Sequence, residues 1–111
     1  MNEKQKKSRK KRLLSSAKAL LTLQVGITVG CLSISNKLYW LGEDWSKQYP
    51  FFDDYRENLP LGVPIGTERL EWNDKSLLEV DIILAKYEYE NRENLLIECQ
   101  RIINDLENEF L

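Results

Sequence analysis

From residue 13 onward, apolar positions recur three and four apart, the spacing that gathers side chains on one face of an α-helix. Leu20, Leu23, Ile27, Cys31, Ile34, Leu38 and Leu41 fall on one side of a helical wheel. Lys18, Thr22, Gly26, Ser33 and Asn36 form a narrow stripe opposite, interrupted only by Val29. This pattern predicts an amphipathic core helix that ends at Leu41, with Gly42 as its C-cap. Gly26 and Gly30 each cost such a helix about 1 kcal/mol, which points to close approach by another backbone. Glu43 to Gln48 is polar apart from Trp45. A short helix is predicted from Pro50 to Asn58, because proline suits a first helical turn and Phe51, Phe52 and Tyr55 then share a face. Pro60 stops it.

Residues 60–66 read PLGVPIG, two Pro-x-Gly turns in succession and the one stretch dense in these residues. Asn73 and Asp74 then offer N-caps, and Ser76-Leu77-Leu78-Glu79 has the capping-box form. Leu77, Val80, Leu84 and Tyr87 recur at helical spacing, as do Leu95, Cys99, Ile102, Leu106 and Phe110. The phase slips in YENREN, residues 89–94. A single helix over 75–110 would be about 54 Å long at 1.5 Å per residue, so two helices with a break near Glu90–Arg92 are expected.

Composition fits this reading. Only eight of 111 residues are Gly or Pro, too few for an all-β domain with many tight turns. Apolar residues at 42% and charged residues at 31% describe a chain able to build one core. The fold class expected is all-α: a small bundle of about four helices with a Pro/Gly-rich connecting loop and a disordered basic N-terminal arm.

Charge changes the picture at the N-terminus. Residues 1–12 carry seven basic side chains against Glu3, a net of +6, whereas residues 13–111 carry nine basic and seventeen acidic ones, a net of −8. A block of like charge repels itself and stays disordered unless something neutralises it. The expected division is therefore a flexible arm over 1–12, with Lys6, Lys7, Arg9, Lys10, Lys11 and Arg12, and a single helical domain over 13–111. A solvated tail is the first reading of such an arm; after it, an anionic membrane surface fits better than nucleic acid, because the body is acidic and the arm has no aromatic residue to stack on bases.

The 18 uncharged residues from 19 to 36 raise a membrane reading. They fall a little short of the roughly 20 that a span needs, and six of the eighteen are polar. A soluble core helix is preferred, and a single-pass protein attached through residues 1–36 with an acidic helical domain is the alternative. A cleaved signal is disfavoured by Lys18 within the apolar run, and a lipoprotein site by Thr28 three before Cys31.

Catalytic chemistry has little to stand on. The chain has no histidine, which removes Ser-His-Asp and Cys-His systems and His-ligated metals. Cys31 and Cys99 have no CxxC context and read as small buried hydrophobes in a reducing, cytoplasmic setting. The carboxylates sit at helix-surface positions, and Asp53-Asp54 lacks the spacing of a calcium loop. No enzyme activity, metal or cofactor is expected.

Seven aromatics between residues 39 and 55 are dense for a region that connects helices. Most belong to a core, but Trp and Tyr also anchor partners. The candidate partner-binding residues are Trp45, Phe51 and Phe52, together with Glu68, Arg69 and Trp72 after the proline loop. The function expected is binding of a protein partner, with inhibition of a basic partner as its specific form, in the manner of small acidic immunity proteins.

Overall fold

A computed structural model describes residues 2–60 and 73–110. Five helices follow one another: α1 (Glu3–Leu21), α2 (Ile27–Leu41), α3 (Glu43–Gln48), α4 (Phe51–Glu57) and α5 (Asp74–Glu107). No strand occurs among the described residues, so the all-α class holds. The proline loop at 61–66, with Glu68, Arg69 and Trp72, lies outside the described residues.

The basic segment is helical, not a flexible arm. α1 begins at Glu3 and runs unbroken through the seven cations to Leu21. Asn2 and Gln5 form a reciprocal capping box, and Glu3 lies in the positive first turn. Part of the positive charge of α1 meets the chain's own acidic C-terminal segment. Lys10 pairs with Glu109 at 3.1 Å and Lys18 with Glu107 at 3.2 Å. Lys11 stands over the Phe110 ring, 5.6 Å from its centroid.

The predicted helix through Gly26 is broken. α1 ends at Leu21, and the chain turns through residues 22–26, with Leu23 at φ 57°. Gly26, extended, becomes the N-cap of α2. The two helices fold back as an antiparallel hairpin in which Leu20 lies against Gly30 and Arg9 against Trp40. A Cβ on Gly30 would stand 2.7 Å from Leu20 Cδ1, so that glycine makes room for a side chain and not for another backbone; Gly26 faces open space. Among the described residues, no helix is long and apolar enough to cross a membrane. α2 ends as expected, with Gly42 at φ 127°. α4 likewise starts after Pro50, as the sequence predicts.

Contrary to the expected pair of helices, α5 is one helix of 34 residues with no break near Glu90–Arg92. It spans the 48 Å long axis of the molecule. All its buried residues, Leu95, Cys99, Ile102, Ile103 and Leu106, lie in the C-terminal half, which α1 covers. The polar stretch does not turn because its neighbours have partners along one continuous helix. Tyr87 Oη donates to the Tyr55 carbonyl at 2.6 Å, and Asn91 Nδ2 donates to the Tyr87 carbonyl at 2.9 Å.

Glu88 joins α5 to α2. Gly26 has no side chain with which to cap α2. The carboxylate of Glu88 does this from the neighbouring helix, accepting from Thr28 N at 3.0 Å and from Thr28 Oγ1 at 2.8 Å. The Thr28 hydroxyl also meets Tyr55 Oη at 2.7 Å. A negative charge therefore sits where α2 presents its unsatisfied N–H groups.

Candidate functional site

The aromatic residues singled out in the sequence divide by depth. Phe52 is fully buried, with Tyr49 and Tyr55 beside it in the core. Phe51 is half-buried and meets the Phe52 ring edge-on at 5.4 Å. Trp45 is half-buried under Lys10, whose Nζ lies 5.4 Å from the ring centroid. Tyr49 Oη donates to Asp105, tying the α3–α4 junction to α5. Phe52 is thus a packing residue and not an accessible anchor. It was read as a surface candidate because spacings of three and four place a residue on a face without saying what covers that face.

Cys31 and Cys99 are free and fully buried. Burial pushes the Cys99 thiol up to about 12, and burial followed by the neighbouring Cys99 raises Cys31 further. Both are therefore poor nucleophiles in the folded protein. The folded chain keeps these protons while the unfolded chain loses them near the ordinary value of 9.0, so the stabilisation is complete below about pH 9 and is lost as pH climbs toward 12. Tyr49 and Tyr55, raised first by burial, act in the same direction at higher pH. Urea midpoints are expected to be flat up to pH 9 and to fall steadily above it; a midpoint that rises there would contradict the burial of these groups.

Among the described residues, two surfaces outside the core stand out. The first is the N-terminal half of α5. Leu78 is 66% exposed, Ile82 68%, Ile83 53% and Tyr89 80%. Leu78, Ile82 and Tyr89 lie at i, i+4 and i+11, within about 40° of one another around the helix. Ile83 stands on the adjoining flank. Leu77, Val80 and Leu84 on the inner side are only partly buried. This part of the helix is apolar on more than one side and lies beyond the core that covers its C-terminal half. The sequence pattern names the inner row, Leu77, Val80, Leu84 and Tyr87, and leaves Ile82 and Ile83 unassigned.

The second is a cleft between α1 and α2. Arg9, Arg12, Lys37 and Trp40 line it, enclosing about 290 Å³. Arg9 Nη1 donates to the Trp40 carbonyl at 2.8 Å, and Lys37 Nζ donates to Ser33 Oγ at 2.6 Å. Among the described residues, none of these three cations has an ion pair. Burial and then the Arg12 charge hold the Lys37 ammonium below its usual range. Trp40 is 55% exposed, and the adjacent Tyr39 75%. The hairpin creates this juxtaposition, pairing positions 9 and 12 with 40 and 37. A turn read at Gly26 would have revealed it.

Among the described residues no three His, Cys, Asp or Glu side chains are grouped to hold a metal ion. The chain matches no protein-family model, and comparisons with curated proteins and with solved structures found no relative.

Proposed function

We propose that this protein is a non-enzymatic binding module for another protein chain, with the N-terminal half of α5 as its interaction surface. The observation that carries this reading is the exposure of Leu78, Ile82 and Tyr89 on one side of a helix that extends past its own core. Scattered exposed leucines are ordinary on a protein surface; a stripe on a helix face that no other described residue covers favours a partner. Peptide and protein partners engage such stripes through apolar anchors at helical spacing. The flanking charge favours a basic partner. Between Asp74 and Glu93 the helix carries six acidic and three basic side chains, a net of −3. That balance supports the inhibitor or immunity-like role, because opposite charge speeds encounter while the apolar stripe supplies the contact.

Ile82→Glu in the full chain tests the surface. The side chain is mostly exposed, so the helical circular-dichroism signal and the melting temperature are expected to stay near those of the parent. Proteins captured from native cells by the parent and identified by crosslinking are expected to be lost. Retention of the same captured protein by Ile82→Glu and by Tyr89→Ala would remove α5 as the interaction surface.

A further inference from the structure

We propose that the cleft formed by Arg9, Arg12, Lys37 and Trp40 is a peripheral docking site for the phosphate headgroups of an anionic lipid bilayer. Three cations converge on a space of about 290 Å³ with no ion pair among the described residues to balance them. Like charges held this close raise the energy of the unliganded protein, and a phosphate oxygen placed among them relieves it. The arrangement is also held in place. Arg9 is fixed by its bond to the Trp40 carbonyl, and Lys37 by its bond to Ser33. Both helices are anchored in the core through Leu13 and Ala17 on α1 and Ile34 and Leu38 on α2.

The surroundings favour a bilayer over other phosphate sources. Trp40, 55% exposed, lines the cleft with these cations, and the exposed Tyr39 precedes it on α2. Amphipathic rings flanked by Lys and Arg are the composition found where proteins meet the headgroup layer. Nucleic acid fits less well. Its binding modules are strongly basic overall, whereas this chain has a net charge of −2. A flat bilayer can meet the cleft and the exposed Trp40 beside it alone.

The test is co-sedimentation of the full-length protein with vesicles of phosphatidylcholine alone and of phosphatidylcholine mixed with phosphatidylglycerol. Binding is expected only to the mixed vesicles, weakening as salt is added. Arg12→Gln and Lys37→Gln are each expected to lower vesicle affinity by about fivefold, with helical content unchanged. Tryptophan emission should shift to the blue on binding, and Trp40→Phe should abolish most of that shift. Equal retention on neutral vesicles would overturn the proposal. So would unchanged affinity in both charge variants, or binding of inorganic phosphate or of a single-stranded oligonucleotide with no retention on anionic vesicles.

Discussion

Phe52→Ala is expected to cost about 3–5 kcal/mol of folding stability, the range for removing a fully buried phenylalanine from a packed core. Small domains hold about 5–15 kcal/mol in total, so this one substitution brings the protein close to unfolding. The magnitude follows from position. Phe52 has no exposed surface, meets Phe51 edge-on, and shares the core with Tyr49 and Tyr55. The cavity left behind is bounded by helices that cannot all close in. Phe51→Ala, at a half-buried site on the same short helix, should cost clearly less. Urea denaturation of the two variants measures the difference. If Phe52→Ala folded as well as the parent and lost only a partner, the residue would be the surface anchor that the sequence pattern suggested.

Removal of the Glu88 carboxylate has the next largest expected effect. Glu88→Ala should destabilise the protein by about 2 kcal/mol, because it leaves the Thr28 N–H and hydroxyl without their acceptor at the start of a helix. Thr28 is buried, so water does not readily replace the lost acceptor. Glu88→Gln keeps an oxygen acceptor but loses the charge that α2's N-terminus favours, and about half the loss is expected. Placing a cap at residue 26 in the Glu88→Ala background, as Gly26→Ser or Gly26→Asp, should restore part of the stability. That rescue separates capping from general packing. If it fails while Glu88→Ala is destabilised, the carboxylate acts through something other than the end of α2.

Local chemistry read correctly where it was self-contained. Gly42 ends α2 because a positive φ there suits glycine, and Pro50 precedes α4 because its fixed φ suits a first turn. Asn73 caps α5, accepting from Ser76 N at 2.8 Å. The apolar pattern of Leu95, Cys99, Ile102 and Leu106 named the buried face of α5's second half. Each of these depends on residues within one or two helical turns of each other.

The errors share a physical cause. The basic segment was expected to be disordered because its cations repel one another, yet Glu107 and Glu109, nearly a hundred residues along the chain, meet Lys18 and Lys10. A break was expected in YENREN because that stretch is polar, but Tyr87 and Glu88 just before it fasten α4 and α2 to a helix that continues straight on. The turn at residues 22–26 has no proline and one terminal glycine. It forms because folding back buries Leu20 against Gly30, a gain that no local window contains.

Backbone preference and periodicity along the chain were thus enough for the helical class, the C-cap at Gly42 and the core face of the last helix, and they narrowed the start of that helix to Asn73, Asp74 or Ser76. Pairings in the fold decided which aromatic residues are inside, which half of α5 the other described residues cover, and that Arg9 and Arg12 stand beside Lys37 and Trp40. These depend on pairings between distant segments, whose energies come from burial and charge neutralisation across the fold and leave no periodic trace along the chain.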